Sequence, residues 1–510
     1  MERSENVPDG NADMNANRKT DEPVVPATSA NNDTTEVSAE SIEERGSTKR
    51  NAEQPTSRRT PGRNKRKSRG LSGVREAARK DSSLKFTALL HHVSNDCLVE
   101  AFFNLKKDAA VGVDGVTWHE YERTLESNIA DLHDRIHRGA YRAKPSRRQW
   151  IPKPDGRQRP LGIASLEDKI VQQAVLWVIQ SIYDEDFLGF SYGFRPRRSQ
   201  HQALDALSVA ITNKRVNWIL DADVEGFFDA IDHEWLIKFL EHRIGDRRIL
   251  RLIRKWLRAG VSDDGEWSRT TKGTPQGAVI SPHLANVYLH YVFDLWIEWW
   301  RKHRNGDVVV VRFADDFVIG FQHQRDAKAC MEDLHARFAK FGLKLHPTKT
   351  RLIEFGRYAA ENRKRRGEPR PDTFDFLGFT HVCAKTRTHG RFTVHRYSTG
   401  KRLRAKLRTI RDELRRRMHQ PIGATGRWLR RVMQGWLNYH AVPCNQRQMH
   451  CFNNNVLRYW RHTLRRRSQR GRGWTWKRMY RLAARHLPGL NIRHPYPHQR
   501  FHDRLKVRAV

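Results

Sequence analysis

Apolar residues follow two different spacings along the central part of this chain. Residues 84–109 and 167–187 carry them at helical intervals, and the second segment, EDKIVQQAVLWVIQSIYDEDF, predicts an amphipathic helix. Short apolar runs at WILDADV (218–224), at 350–355 and at DVVVVRFADDFVIGF (307–321) predict β-strands. Because helical stretches separate these runs, the central chain predicts an α+β core.

The segment that precedes this core alternates bulky and basic residues. RRQWIPKPDGRQRPLGIA (147–164) has Pro-Asp-Gly near its middle, which is typical of a turn. The segment therefore predicts a β-hairpin that carries Lys and Arg on its strands.

The two ends of the chain are patterned differently from its centre. Residues 1–80 are rich in Asn, Ser, Thr, Pro, Glu and Arg and almost lack periodic apolar positions, so they predict a disordered tail. The later part of this tail, Arg58–Arg69, is a basic arm. Beyond about Tyr397 the strand-like runs stop, and Arg-rich helical stretches with interspersed Trp dominate to the end. This change places a domain boundary near 385–400.

The charge composition of the chain indicates what kind of partner it binds. The 510 residues include 95 Lys and Arg against 57 Asp and Glu, which gives a formal net charge of +38 and a sequence pI near 10.6. A polyanion would neutralise this excess, and nucleic acid is the leading candidate. No apolar stretch reaches the roughly 20 residues of a membrane-spanning helix, and the N-terminus lacks an apolar signal core. We therefore expect no membrane partner and a cytoplasmic location.

The positions of the cysteines bear on disulfide bonds and on zinc binding. The five cysteines are scattered along the chain and include no Cys-x-x-Cys pair. This pattern argues against a disulfide framework and against a structural zinc site.

Two adjacent carboxylates are the first candidates for catalysis. Asp315 and Asp316 lie between apolar strand-like segments, which predicts a tight hairpin turn, because burying both inside a strand pair would be costly without cations. Asp223 lies at the end of the strand candidate WILDADV and could point toward Asp315 and Asp316. Two divalent ions held there would activate a 3′-hydroxyl and stabilise a leaving pyrophosphate, and Mg²⁺ suits oxygen ligands. The alternative is that these aspartates only cap a turn.

Three motifs give this chain a resemblance to reverse transcriptases, specifically those encoded by bacterial group II introns. FADD (313–316) resembles the aromatic-Ala-Asp-Asp box of that family, with Phe where Tyr is commoner. DVEGFFD (223–229) resembles the first palm motif, and GTPQGAVISPHLANVYL (273–289) resembles the motif whose Gln approaches nucleotide and template. The resemblance runs from about 85 to about 497.

The resemblance implies a set of site residues. Catalysis would fall to Asp223, Asp315 and Asp316, which would hold two Mg²⁺ ions together with Val224. The residues implied in binding the incoming nucleotide are Lys153, Arg159, Phe228, Gln276 and Lys349. Phe228 would exclude a 2′-hydroxyl, and Arg159 could grip a phosphate bidentately. The alternatives are an ordinary core Phe and a solvated basic hairpin.

Other segments resemble the intron-encoded branch in particular. AAVGVDGVTW (109–118) resembles an N-terminal extension, and SYGFRPRRSQHQAL (191–204) resembles the second sequence block of that branch. LRRVMQGWLNYH (429–440) and the sequence after it resemble a thumb and maturase domain. Many members continue with a nuclease of the HNH type, which we do not expect here, because the chain ends soon after the maturase match and lacks the Cys pairs often seen in that nuclease.

The resemblance divides the chain into five parts. They are a disordered tail at 1–80, an N-terminal extension at 81–145, fingers and palm at 146–390, a helical thumb and maturase domain at 391–497, and a C-terminal tail at 498–510. The resemblance thus implies an α+β right-hand polymerase, with an antiparallel sheet in its fingers and palm, followed by an all-helical thumb and maturase domain.

Arginines interleaved with aromatics make the C-terminal region a candidate RNA-binding surface. Arg can pair with phosphates and stack on bases, and aromatic rings offer stacking surfaces. The candidate residues are Arg415, Arg416, Arg417, Arg430, Arg431, Arg465, Arg466 and Arg467. The tryptophans could instead pack the helices against each other.

The resulting functional hypothesis is an RNA-directed DNA polymerase that binds its parent group II intron RNA, assists its splicing and copies it into cDNA. Its partners would be intron RNA, an RNA template with a DNA primer, dNTPs and a DNA target. The alternatives are a maturase without polymerase activity, and an intron-free reverse transcriptase recruited to host defence or repair. The polymerase hypothesis requires Asp223 to lie within roughly 10 Å of Asp315, so that both can share cations.

Overall fold

The computed structural model describes residues 64–152, 158–263, 265–268 and 270–501. The first five helices form one layer of the molecule. They are α1 (Asn64–Lys80), α2 (Asn95–Asn104), α3 (Trp118–Arg123), α4 (Leu125–His137) and α5 (Leu166–Asp186). The long helix α5 is almost entirely buried in its central part and forms the floor against which α1 and α2 pack.

Helix α1 corrects the prediction of disorder through residue 80. Val74 and Ala78 are buried, and the Nε atoms of Arg75 and Arg79 lie 3.3 and 3.1 Å from the Glu185 carboxylate of α5. Spacing of four residues places both arginines on one helix face, so a short apolar stripe and this ion pair order a segment whose composition alone suggested a coil. Residues 1–63, with the first part of the predicted basic arm, lie outside the described residues.

The predicted basic hairpin is present. Strands β1 (Ser146–Pro152) and β2 (Gln158–Ile163) pair antiparallel, and two short strands, β4 (Val261–Asp263) and β5 (Glu266–Ser268), extend this first sheet in the order β2-β1-β4-β5. Lys153, the first residue after β1, lies outside the described residues.

The central sheet contains the strand candidates of the sequence. It has four antiparallel strands in the order β6-β7-β3-β8, with β3 at Trp218–Ala222, β6 at Val308–Phe313, β7 at Asp316–Phe321 and β8 at Arg351–Glu354. Two middle strands, β7 and β3, are therefore flanked on both sides. The carboxylate-bearing segments follow β3 and precede β7, at the same end of the sheet.

Helices connect and cover these strands. They are α6 (Gln200–Asn213), α7 (Phe227–Ala230), α8 (His233–Glu241), α9 (Arg247–Arg258), α10 (Ser281–Leu289), α11 (Leu295–Lys302), α12 (Gln324–Lys340) and α13 (Ala359–Arg365). A π-helical turn at His290–Asp294 joins α10 to α11. Such turns often mark functional positions, because they redirect side chains that a regular helix would point elsewhere.

A third sheet and a helical unit complete the described chain. The sheet has the order β11-β10-β9, with β9 at Phe374–Phe376, β10 at Phe379–Lys385 and β11 at Phe392–Ser398. The helices that follow are α14 (Gly400–Arg416), α15 (Ile422–His440), α16 (Gln446–Arg466) and α17 (Trp476–His486). In the part of the chain that the structure describes, the last strand ends at Ser398, close to the predicted end of the strands near Tyr397.

Three apolar cores hold these layers together. Alternation along the central strands sends Leu220 and Phe317 into the largest core, with α5, α10 and α12, and sends Ile219 and Val318 into a second core with α6 and the third sheet. The C-terminal helices enclose the third core around Trp460. The mixed core followed by helices confirms the predicted fold class. Among the described helices, none is both long and apolar enough to cross a membrane.

Candidate active site

The Asp-Asp pair lies at a tight turn, as predicted. Phe313 of β6 pairs with Asp316 of β7, which leaves Ala314 and Asp315 as a two-residue loop. Ala314 has φ +59°, a left-handed conformation that is unusual for a residue with a Cβ. The turn therefore presents two successive carboxylates at the sheet end, one in the loop and one at the first position of β7.

Asp223 reaches the same end of the sheet through the pairing of β3 with β7. The last residue pair between these strands joins Ala222 to Phe317, so Asp223 and Asp316 each lie one residue beyond it. Paired residues of antiparallel strands have Cα atoms about 4.5–5.5 Å apart, so the two aspartates are close neighbours on one face of the sheet. Asp315 directly precedes Asp316, and the charge of Asp223 acts on it, so the register agrees with the proximity of Asp223 and Asp315 that shared cations require.

The electrostatics of the three aspartates agree with this proximity. Removal from water by the surrounding protein, followed by repulsion from Asp315 and Asp223, raises the pKa of Asp316 to about 7, although its side chain keeps an exposed surface. Burial and the charge of Asp223 also raise the pKa of Asp315. Carboxylates that resist ionisation together call for a cation between them.

Cations from three elements of the fold approach this site. Arg159 of β2 opposes the rise in the pKa of Asp315, and Arg402 of α14 opposes that of Asp316. Lys349 contacts Asp223 directly through an ion pair between its Nζ atom and Oδ2. The carboxylates thus lie between the first sheet, the segment before β8 and the first C-terminal helix.

The donor set fits a hard divalent cation. Val224 forms a bridge with Leu345 in which the bonded groups belong to the neighbouring residues, from His346 N to Asp223 O (2.8 Å) and from Glu225 N to Lys344 O (2.8 Å). In such a pair the backbone carbonyl of Val224 points away from Leu345, toward the side on which β7 lies. Among the described residues no group of three or more acidic, His or Cys side chains is arranged so that these side chains alone could hold a metal ion.

The segment that contains Gln276 links the first sheet to the residues around Phe228. Thr274 N donates to Phe228 O (2.8 Å), and Gly162 N of β2 donates to Gln276 O (2.6 Å). Gly277 has φ +110°, and a Cβ there would lie 2.8 Å from Gly162 O, so only glycine fits this close approach. Phe228 and Gln276 are both half-buried. We refer to the segment Thr274–Gly277, which contacts both Phe228 and β2, as the Gln276 strap.

The remaining predicted nucleotide-binding residues differ in what the structure says of them. Arg159 is exposed on β2, opposite Ile151 of β1, and its charge acts on Asp315. Lys349 is also exposed and is engaged with Asp223. Arg159 and Lys349 therefore act on the carboxylates, Phe228 and Gln276 are linked to each other through the Gln276 strap, and Lys153 lies outside the described residues.

A buried arginine beneath the turn was missed by the sequence analysis. Arg312 of β6 is fully buried, and its guanidinium donates to Asp294 Oδ1 (2.6 Å), Asn286 Oδ1 (3.0 Å), Ser191 Oγ (2.7 Å) and Ala314 O (2.9 Å). A second contact to Asp294 makes the ion pair bidentate. Arg312 thus connects α10, the π-helical turn and the 190–194 segment to the backbone of the Ala314–Asp315 loop.

The charge of Asp294 depends on this arginine. Burial alone would raise the pKa of the Asp294 carboxyl, but Arg312 and His290 outweigh burial and lower it. The signal in the sequence was a single charged residue inside an otherwise apolar run, VVVVRF. A charge at such a position has to be paired in the interior, which points to a buried network even though it does not identify the partners.

Glycine 193 completes the support of the turn. Asn286 Nδ2 donates to Gly193 O (2.6 Å), and a Cβ on Gly193 would lie 2.2 Å from Ala314 N. Arg312 N and Tyr192 N also bond to Phe190 O and Arg312 O, both at 2.9 Å, so the segment runs alongside β6. We refer to Phe190–Phe194 and Arg312 as the turn clamp.

The predicted RNA-binding arginines fall into two groups. Those with exposed side chains are Arg415, Arg416, Arg430, Arg431, Arg465 and Arg466. Arg417 pairs with Glu413 (2.7 Å) and covers the ring of Trp428, and Arg467 donates to His419 O (3.2 Å). The last contact joins the ends of α14 and α16, so arginines 415–417 and 465–467 share one end of the helical unit.

Comparison with known proteins agrees with this geometry. A match to the reverse transcriptase (RNA-dependent DNA polymerase) family spans residues 151–381. Protein YkfC of Escherichia coli K12 is 34% identical over 273 residues, which cover 47% of this chain and 71% of that protein. The group II intron-encoded protein LtrA of Lactococcus lactis is 36% identical over 207 residues, 40% of this chain.

The matches differ in how much of each relative they include. The alignment with LtrA covers 34% of that protein, about a third of its length. Nuclear intron maturase 3, mitochondrial, of Arabidopsis thaliana is 26% identical over 129 residues, which are 25% of this chain and 18% of that protein. The matched residues 151–381 include every strand of the central sheet and all three aspartates at its end. The chain therefore belongs to the reverse transcriptase family, in its branch of group II intron-encoded reverse transcriptases and maturases.

Proposed function

We propose that this protein is an RNA-directed DNA polymerase that binds its parent group II intron RNA, assists its splicing and copies it into cDNA. The observation that carries the proposal is the meeting of Asp223 with Asp315 and Asp316 at one end of a single sheet. A maturase that used this fold only to bind RNA would have no need for three carboxylates clustered at one end of a sheet, two of which, Asp315 and Asp316, have raised pKa values.

The proposed chemistry is in-line transfer of a nucleotidyl group to a primer 3′-hydroxyl. Two Mg²⁺ ions, when bound, would activate that hydroxyl and stabilise the leaving pyrophosphate. Asp223, Asp315 and Asp316 would hold them, with the Val224 carbonyl as a fourth donor. The turn clamp would keep two of these carboxylates in position while the nucleic acid moves past them, because a small displacement of a reacting group is costly.

The nucleotide would occupy the space between the carboxylates and the first sheet. Phe228, held on the Gln276 strap, would lie under the sugar and exclude a 2′-hydroxyl, and Gln276 would approach the base pair being formed. Arg159 and Lys153 of the hairpin would contact the triphosphate. Lys349 would leave Asp223 for a phosphate when cations bind, because the cations would compete with its ammonium group for the Asp223 carboxylate.

A primer-extension assay tests the polymerase. Purified protein with an RNA template, a DNA primer, dNTPs and Mg²⁺ should extend the primer. Asp315→Asn should reduce the rate by about a thousandfold, since removing a metal ligand forfeits several kcal/mol of transition-state stabilisation. Glu225→Gln is the matched control, because Glu225 is an exposed carboxylate two residues from Asp223.

RNA binding provides the second measurement. Asp315→Asn should bind intron RNA as the unchanged protein does, because the exposed arginines lie in another unit. Loss of binding in this variant would contradict the division between a catalytic core and an RNA-binding helical unit. Equal extension by both proteins would contradict the catalytic role of Asp315.

Splicing and genomic context test the intron part of the proposal. The protein should allow flanking intron RNA to splice at a Mg²⁺ concentration too low for the RNA alone, and Asp315→Asn should keep this ability. A gene without ribozyme sequence around it, combined with active primer extension, would favour a reverse transcriptase recruited to host defence or repair.

A further inference from the structure

Helix α17 has an outer face that packing does not explain. Its one buried residue is Met479, whereas Trp476 and Tyr480 are 38% and 58% exposed. These two aromatics are four residues apart and therefore lie on the same side of the helix. Their rings stack at a centroid distance of 5.7 Å and an angle of 27°. Exposed large aromatics placed together are typical of a binding surface.

An arginine orders this stack from the neighbouring helix. Arg461 of α16 donates from Nε to Trp474 O (2.8 Å), and its guanidinium lies 4.6 Å from the Trp476 ring centroid. Exposure increases from Arg461, which is half-buried, through Trp476 to Tyr480. The rings are thus fixed before any ligand arrives, which reduces the entropy lost on binding.

A row of cations runs beside the rings. Lys477, Arg481 and Arg485 are all exposed and are spaced four residues apart, one position after the aromatic row. The chain contains no Asp or Glu between Leu414 and His502, so no carboxylate of that stretch neutralises these cations. An acidic protein partner could satisfy the charges, but it would have no use for two rings stacked in parallel planes.

We infer that this face of α17 binds unpaired nucleotides of RNA, with bases stacked on Trp476 and Tyr480 and phosphates on Lys477, Arg481 and Arg485. The inference deepens the proposed function, because it assigns a single-stranded element of the RNA to this face. Single-stranded recognition combines base stacking with a basic track in this way, whereas duplex recognition depends on phosphate and 2′-hydroxyl contacts.

Oligonucleotide binding tests the inference in the full-length protein. The probes are a single-stranded RNA of mixed sequence and the same RNA annealed into a duplex, each measured over a series of salt concentrations. Tyr480→Ala with Trp476→Ala should weaken single-strand binding by roughly 5- to 100-fold and leave duplex binding and the salt slope unchanged. Tyr480→Phe, which retains the ring, should retain the affinity.

The controls separate stacking from charge and from misfolding. Trp299→Ala removes an aromatic that is 45% exposed on α11, next to Glu298, and should change neither affinity. Replacement of Lys477, Arg481 and Arg485 by Ala should weaken both probes and reduce the salt slope by about three. Equal weakening of single strand and duplex by the aromatic variant, or no weakening of either, would overturn the inference.

The test of the α17 site can fail independently of the test of the proposed polymerase function. Oligonucleotide binding requires no catalysis, so failure of primer extension in the unchanged protein would count against the polymerase alone. Conversely, an aromatic variant that extends a pre-annealed primer normally but binds single strands as well as before would count against the α17 site alone.

Discussion

At the Asp-Asp turn, the Arg312 guanidinium is fixed by several buried hydrogen bonds, and Gly193 lies so close to Ala314 that a Cβ would not fit. On the C-terminal helices, by contrast, most of the predicted RNA-binding arginines extend into solvent. The function of the first region depends on the exact positions of its groups, and these groups act together. The second depends on summed charge, and its groups act nearly independently. Single substitutions should therefore be severe in the first region and mild in the second.

The severest substitution should be at the centre of the turn clamp. Arg312→Met leaves Asp294 buried without its partner, and we expect the free energy of unfolding to fall by about 3–5 kcal/mol. Urea denaturation measures this loss. The double variant Arg312→Met with Asp294→Leu should recover much of the stability but little of the polymerase rate, because Ala314 O still lacks its donor. Recovery of both would show that Arg312 contributes only to stability.

Gly193→Ala should distinguish the position of the Ala314–Asp315 loop from the stability of the protein more directly than Arg312→Met does. The added methyl group would meet the backbone of Ala314 at 2.2 Å, so this loop has to shift. A shift of about 1 Å costs roughly a hundredfold in rate, which primer extension would detect. Gly435→Ala, where a Cβ meets nothing within 4 Å, is the matched control. An unchanged rate in Gly193→Ala would mean that the loop tolerates displacement.

Phe228→Ala should have a smaller and more selective effect. Removal of the ring should admit ribonucleotides and reduce the preference for dNTPs by about 10- to 100-fold, which is the range a single apolar contact provides. Competition between dNTPs and rNTPs in primer extension measures the ratio. If the preference stays while the rate falls, Phe228 is a packing residue of α7 and the sugar is selected elsewhere.

The mildest effect should come from one exposed arginine of the helical unit. Arg466→Ala should weaken binding of intron RNA uniformly and lower the slope of log K against log salt by about one. Arg467→Ala is the informative comparison, because Arg467 bonds to His419 O and should affect stability more than the salt slope. A large loss of affinity from Arg466 alone would contradict the idea of independent charges.

The same comparison explains how far the sequence could predict this molecule. Alternating apolar runs predicted β3, β6, β7 and β8, and the adjacent aspartates predicted a tight turn, because both features are local. The pairing of Asp223 with Lys349 was not predicted, since residues 126 positions apart become neighbours only through the sheet register. The role of Arg312 depends on the same kind of long-range contact.

Local patterns also left out contacts at the two ends of the chain. Helix α1 was predicted to be disordered, because its stabilising partner, Glu185, lies more than a hundred residues away. Arg417, which was grouped with the RNA-binding arginines, pairs with Glu413 and covers Trp428, a contact that the run of arginines did not reveal. A run of arginines shows that charge is present, yet only the fold determines which of them remain accessible.

The long stretch without Asp or Glu has a consequence for the newly made protein. A segment with so many cations leaves the ribosome as a polycation, and association with RNA is fast when charge steers it. Under the proposed function the messenger being translated contains the intron itself, so the nearest polyanion is also the intended ligand. Indiscriminate attraction at short range would then favour the transcript that encodes the protein over the other RNA of the cell.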